Sequence, residues 1–297
     1  MYRMKVLLAE YASSHDPALA PEGAAMLRVL AESFSRTGCE VIMPGKGDFA
    51  GEIERLAPGC DLGLVIAPDH LLPGYTKILE DLTHNLGCSS LVAAVCGNKV
   101  MTGKILARHG VPVPGKAEQG LRVVKPVHGC GSQGVRLTNG DPGEGEFGQR
   151  FIEGEHLSAS LVGSRNTGEA CLYYSGNPPL VLALNRQHIE VTDGAFRYLG
   201  GETPVDHPRS GEILDVVRKA VMVLGCQGYA GVDVVLGDKA YVVDVNPRVT
   251  TSVIGIAAVM EEEIARILVD ASHGGGPEEV TFRGKVRFTK DGEVTRL

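Results

Sequence analysis

Val124-Lys125-Pro126-Val127-His128-Gly129-Cys130-Gly131-Ser132-Gln133-Gly134-Val135 is the stretch on which the reading of the fold turns. A lysine closes a short apolar run, a loop with three glycines follows, and the chain turns back into a second strand. Glycine lets the backbone approach closely and take positive φ, so such a loop can fold its N–H groups around phosphate oxygens. Lys125 would add a point charge on the same phosphates. The order is not that of the P-loop, where the lysine follows the glycines and a helix comes next. A glycine-rich hairpin without a ligand is the plain alternative for this stretch taken alone.

Outward towards higher numbers, the next signal is Asp233 with Asp244-Val245-Asn246-Pro247-Arg248. On a strand, residues 244 and 246 share a face, so Asp244 and Asn246 converge. The runs Val232–Leu236 and Ala240–Val245 are separated by Gly-Asp-Lys and suit a hairpin. A two- or four-residue loop sets Asp233 opposite residue 242 or 244, on that same face. A three-residue register puts it on the wrong face unless a bulge intervenes. Two carboxylates and an amide oxygen are hard ligands suited to Mg²⁺, which takes its remaining ligands from water and substrate phosphates. The alternative is a pair of solvated strand acids, but their valine neighbours make an unpaired charge costly.

Towards lower numbers, Asn98-Lys99 opens a helix running to about His109, ahead of Gly110-Val-Pro112-Val-Pro114. A lysine at a helix N-terminus meets an unfavourable dipole unless an anion neutralises it, and Lys104 lies five residues on. In isolation a surface lysine is the commoner explanation. Gln149-Arg150-Phe151-Ile152-Glu153-Gly154-Glu155 reads as a strand followed by a tight turn.

The first ninety residues alternate strand and helix: strands at Val6–Ala9, Val41–Met43 and Leu62–Ala67, and a helix with Pro21 near its start and Gly38 at its end. A second helix is expected over Thr76 to Leu86. That alternation predicts a parallel α/β lobe. Beyond residue 96 short strands dominate, an α+β texture. Helices are expected at Glu212–Leu224 and Ile254–Val269, a polar connector at 140–148, and a last hairpin turning at Asp291-Gly292. The chain has 297 residues and a formal charge of -7, which argues against a broad basic surface for nucleic acid. Seven scattered cysteines without CxxC spacing read as reduced thiols, with neither a disulfide framework nor a zinc site. The apolar run near Met1 is too short for a signal peptide or membrane span, so a cytoplasmic location is expected.

In this order the pieces resemble the ATP-grasp superfamily: a lysine opening a helix, Gly-Val-Pro-Val-Pro, Lys-Pro with a glycine loop, a hinge ending in Gly-x-Glu, and an acid pair with Asn-Pro-Arg. The resemblance covers essentially the whole chain. It implies an ATP-grasp fold at residues 96–297 behind an N-terminal α/β lobe at residues 1–95. Within it, a lid would span about 112–155 and a metal-binding part 156–297. By the match, Lys99 and Lys125 would contact ATP phosphates, and Gly129, Gly131, Ser132 and Gly134 would belong to the lid. Gln149, Phe151 and Ile152 would meet the adenine and Glu155 the ribose. Asp233, Asp244 and Asn246 would hold Mg²⁺ (or Mn²⁺). Arg248 would stabilise the transferring phosphoryl group, and Arg186, in Leu184-Asn-Arg-Gln-His-Ile-Glu190, would point at phosphate or substrate.

Two departures stand out: Asp244 replaces the usual glutamate, and Arg150 sits where many relatives carry an acid or lysine. Glu10-Tyr11, Pro21-Glu22-Gly23, Arg197-Tyr-Leu-Gly-Gly201 and Asp244-Val-Asn-Pro-Arg-Val-Thr-Thr251 narrow the resemblance. They are similar to archaeal ligases of methanofuran biosynthesis, which join glutamate to tyramine, and the Asp fits that group. Glu10 and Glu22 are then candidates for an amino-acid ammonium. A D-alanine–D-alanine-type or dipeptide ligase and a non-catalytic nucleotide-binding module are the alternatives. A homodimer rests on analogy alone, dimers being common among such ligases, and the sequence itself does not set the oligomeric state.

Overall fold

A computed structural model describes residues 3–117, 119–129, 131–165 and 178–297. Cys130 of the glycine loop and Cys171 lie outside the described residues. The other five cysteines are free thiols.

The first lobe is a parallel sheet of β1 (Lys5–Glu10), β2 (Glu40–Ile42), β3 (Leu62–Ile66) and β4 (His84–Asn85), in the order β2-β1-β3-β4. β1 and β3 are almost continuously apolar and buried, as central strands covered on both faces must be. Helices α1 (Ala12–His15), α2 (Ala20–Arg36), α3 (Phe49–Leu56) and α4 (Leu72–Glu80) pack around them. α2 begins with Pro21 in its first turn and buries Met26, Leu30 and Phe34, and Gly38 follows it at φ +89°. α4 starts and stops earlier than the expected span from Thr76 to Leu86. Pro73 is tolerated in its first turn, where the missing N–H has no partner to lose, and β4 occupies the tail of the expected helix.

Two capped helices lead out of this lobe. Ser89 accepts from the Val92 N–H to start α5 (Ser90–Gly97), and Asn98 accepts from the Met101 N–H to start α6 (Lys99–Arg108). The second sheet is antiparallel. Its strands are β5 (Arg122–Pro126), β6 (Arg136–Thr138), β7 (Glu146–Arg150), β8 (Glu155–Gly163), β9 (Leu180–Thr192), β10 (Ala195–Thr203), β11 (Gly228–Leu236) and β12 (Ala240–Asn246). Their order is β12-β11-β8-β9-β10-β6-β5-β7. The hairpin β13 (Val286–Thr289) and β14 (Val294–Arg296) joins through β13 to β10.

Helix α7 (Ser210–Leu224) lays Ile213, Val217 and Val221 on this sheet and ends at Gly225, φ +68°. The single helix expected over Ile254–Val269 is two, α8 (Ser252–Val259) and α9 (Ile264–Ser272). Met260 and Glu263 are extended between them, and the Glu263 carboxylate accepts from Arg36 and Ser33 on α2. Apolar spacing continues across the break because both helices face one core, where Leu30 and Phe34 belong with Val253, Ile256 and Leu268. The connector at 140–148 is shorter than expected. Its last residues enter β7, and Glu146 holds Arg136 at 2.8 Å. No helix among the described residues is long and apolar enough to cross a membrane.

Candidate active site

The hairpin β11–β12 decides the geometry. Its turn has three residues, with Leu236 opposite Ala240 and Val234 opposite Val242. That register alone would send Asp233 to the wrong face. The ladder then shifts by one, leaving Val243 as the extra residue, so Asp233 sits opposite Asp244 and Gly231 opposite Asn246. A bulge therefore restores what an odd-numbered turn would have spoiled.

The bulge does a second thing: the Val243 carbonyl accepts from Lys125 Nζ at 2.6 Å. Lys125 stands on β5, 5.5 Å from the Phe147 ring centre, and burial pushes its ammonium down to about 8, with Lys99 adding to the shift. Lys99, from the first turn of α6, reaches both Asp244 oxygens at 2.6 and 2.8 Å and Asp69 Oδ2 at 3.4 Å. Burial opposes its charge, but Asp244 and Asp69 hold its pKa above the ordinary value. Asp244 itself pays a burial penalty that the two lysines outweigh, so its carboxyl is held below the usual range.

Asp233 is the contrasting member. Burial, reinforced by the charge of Asp244, pushes it up to about 7. Gln187 Nε2 donates to its Oδ1 at 2.8 Å and Asn246 Nδ2 to its Oδ2 at 3.4 Å. Two carboxylates and an amide thus meet two lysines in the lining of one chamber. Among the described residues no group of three or more His, Cys, Asp or Glu is gathered for a metal. The oxygen donors at this hairpin suit an ion that relies on phosphates and water for the rest of its ligands.

The chamber brings together most of the residues singled out in the sequence. Gly129, Gly131 and Ser132 border it on one side, and Gln149, Phe151 and Ile152 on another. Gly131 and Ser132 both have positive φ, 63° and 60°, the left-handed backbone that glycine adopts freely. Lys99, Lys125, Asp233, Asp244, Asn246 and Arg248 complete it. Arg248 Nε lies 3.6 Å from Asp69 Oδ1.

Four candidates stand elsewhere. Gly134 lines an adjoining groove. Glu155 does not line the chamber and instead contacts Arg186 at 3.4 Å and His207 at 3.5 Å. Arg186 is exposed beside it, because on β9 it alternates with Gln187, and Gln187 is the one facing the acids. Glu10 borders a smaller pocket, where its carboxylate accepts from the Ala12 and Ser13 N–H groups at 2.8 and 2.7 Å. Glu22 accepts from the Thr251 hydroxyl and borders the chamber, the pocket and the groove alike.

Sequence reasoning missed Asp69, and it met Gln187 and Tyr198 only inside motifs, as the neighbour of Arg186 and within Arg197–Gly201, without naming either as a site residue. Asp69 follows β3, and the carboxyl ends of parallel strands are where open α/β sheets place their ligand groups, a signal that was available. Tyr198 precedes a bulge on β10 and lines both chamber and groove. Burial, then the charges of Glu22 and Asp233, hold its phenol well above its usual range, so it remains a proton donor.

The chain belongs to the ATP-grasp family: residues 96–252 match the ATP-grasp domain. Among curated proteins it is similar to the tyramine–L-glutamate ligase of Methanocaldococcus fervens, 34% identical over 227 residues, which is 75% of this chain and 69% of the relative. The Methanocaldococcus jannaschii enzyme of the same name is 32% identical over 237 residues, covering 78% of this chain and 68% of that one. Among solved structures, an ATP-grasp superfamily protein from Archaeoglobus fulgidus superposes with TM-score 0.77 at 28% identity, covering 96% of this chain and 92% of its own. The biotin carboxylase domain of Hydrogenobacter thermophilus 2-oxoglutarate carboxylase, described in complex with MgADP and bicarbonate, shares the fold alone. Its TM-score is 0.73 at 14% identity, with 96% and 74% of the two chains covered.

Proposed function

We propose that this chain is an ATP-dependent carboxylate–amine ligase that joins the γ-carboxylate of L-glutamate to the amine of tyramine. The observation that carries the reading is the bulged hairpin, which sets Asp233 against Asp244 beneath Lys99 and Lys125 in a chamber edged by the glycine loop. The resemblance to the two Methanocaldococcus ligases supports the choice of substrates.

In this reading a glutamate carboxylate oxygen attacks the γ-phosphorus of ATP, ADP departs, and an acyl phosphate forms. The amine nitrogen then adds to the acyl carbon, the carbon–oxygen bond to phosphate breaks, and phosphate leaves with the electron pair while the nitrogen loses a proton. Both steps spread negative charge over phosphoryl oxygens, and fixed cations in a dry chamber stabilise that charge most. Lys99, Lys125 and Arg248 would be those cations, and the loop at Gly131 and Ser132 would lie over the phosphates. Asp233, Asp244 and Asn246 would hold Mg²⁺ or Mn²⁺, which when bound neutralises the phosphate oxygens. Gln149, Phe151 and Ile152 would receive the adenine.

Residues 1–95 act as the substrate-facing lobe, residues about 112–155 as the lid and 156–297 as the metal-binding part, and the partners are small molecules, whether or not the chain forms a homodimer. The test is incubation with Mg²⁺, ATP, glutamate and tyramine, followed by mass detection of γ-glutamyltyramine and of ADP. No such product, with turnover of another amino-acid pair, would refute the substrates and favour the dipeptide-ligase alternative. ATP binding without ADP release on any carboxylate would favour a non-catalytic module.

A further inference from the structure

The chamber opens into a groove of about 860 Å³ whose walls come from α1–α2, the glycine loop and β9–β10. That size is ample for an amino acid. The turn of the β13–β14 hairpin borders it and contributes Lys290 to the lining. Its seat there is tightly specified. A Cβ on Gly292, φ +94°, would come within 2.8 Å of the Ala25 Cβ and 3.0 Å of an Arg28 nitrogen, so the turn lies flush against α2. The Lys290 N–H also donates to the Leu199 carbonyl at the bulge of β10, which ties the turn to the wall bearing Tyr198.

Of the cations lining the groove, Arg136 is committed to Glu146, and Arg197 lies 3.9 Å from Glu190. Lys290 meets no carboxylate among the described residues and lines the groove only. Lys290 thus lines the groove, Glu22 the groove, the chamber and the smaller pocket, and Arg248 the last two, so the acid is the member that both cations' spaces share. An amino acid with a second carboxylate presents the complementary set: α-carboxylate, α-ammonium, side-chain carboxylate.

We propose that Lys290 holds the α-carboxylate of the amino-acid substrate, with Glu22 on its ammonium, so that the distal carboxylate alone reaches Arg248 and the phosphoryl group. The assignment rests on the glutamate-ligase reading and deepens it: it explains selection of a dicarboxylic amino acid and of its γ-carboxylate as the one activated. Lys290 is a specificity-determining residue that takes no part in phosphoryl transfer.

The experiment removes one charge from each side. ADP release is measured with hydroxylamine as the acceptor, so the tyramine site is not read. Glutamate is compared with 4-aminobutyrate, which is glutamate without its α-carboxylate, in the wild type, Lys290→Met and Lys290→Arg. Lys290→Met should raise the glutamate KM by about tenfold to a hundredfold, the worth of one charged hydrogen bond, with the ATP KM within about twofold. It should also erase the preference for glutamate over 4-aminobutyrate, while Lys290→Arg keeps it. A preference that survives in Lys290→Met, or a rise confined to the tyramine KM in the coupled reaction, overturns the proposal. If the wild type activates another amino acid, the substrate reading falls, and that amino acid and its analogue lacking the α-carboxylate decide Lys290 by the same comparison. If it activates none, titration calorimetry of glutamate in the presence of a non-hydrolysable ATP analogue decides it, equal affinity in wild type and Lys290→Met counting against.

Discussion

Lys99 and Lys125 line the same chamber, yet their environments drive them in opposite directions. Lys99 is clamped by two carboxylates, whereas Lys125 is buried against a neutral carbonyl and loosened to about 8. Asp244 links the pair, so its charge matters more than its bulk. Asp244→Asn preserves shape and should lower ADP release by roughly a hundredfold or more, since it weakens both the ion site and the clamp on Lys99. Circular dichroism should show the fold retained, and turnover near wild type would refute the role given to Asp244. At this scale much of the site was legible, because residue type carries the chemistry: Lys125, Asp233, Asp244 and Arg248 announce themselves by neighbourhood. Arg186 misled because alternation on a strand admits only one of two adjacent residues to a face, and nothing in Arg-Gln says which. Asp69 was overlooked because only its place after β3 singles it out, and nothing in its immediate neighbours adds to that signal.

Among the elements, those with local punctuation were the readable ones. α2 has a proline at one end and Gly38 past the other, and α7 ends on Gly225. A Cβ at Gly225 would meet nothing within 4 Å, so only the backbone conformation opposes a side chain there. Gly225→Ala should therefore cost about 1 kcal/mol, read as a lower urea midpoint with an unchanged m-value, and activity should persist. No loss of stability would mean that the end of α7 relaxes out of the left-handed region. Unpunctuated features were harder. The break between α8 and α9 follows no glycine or proline; distant contacts hold it, Glu263 reaching Arg36 and Ser33 some 230 residues away and Met260 bridging Phe282. The β11–β12 register depended on a bulge that composition does not signal.

The molecule as a whole is held across its two sheets by a shared apolar core. Phe34 on α2 is fully buried in the same cluster as Leu8 of the parallel sheet, Tyr229 of the antiparallel one and Leu268 of α9. Truncating it empties a site that both lobes line. Phe34→Ala should cost about 3–5 kcal/mol and lower the thermal transition without splitting it in two. Two separated transitions would show that the lobes fold independently and that the core joins them only loosely. The α/β-then-α+β succession was plain in the sequence, since it follows from hydrophobic period. The meeting of α2, α8 and α9 was not, since apolar stripes say that a helix is covered and never by what.

The extra residue at Val243 has a consequence for how this site would be surveyed by substitution. Replacing side chains one at a time tests what side chains do, but the group that receives Lys125 belongs to the main chain and survives every replacement at position 243 except deletion. A scan would therefore credit Lys125 with a role and find no counterpart for it. Half of that interaction would stay off the map, although it rests on the same irregularity that turns Asp233 towards Asp244.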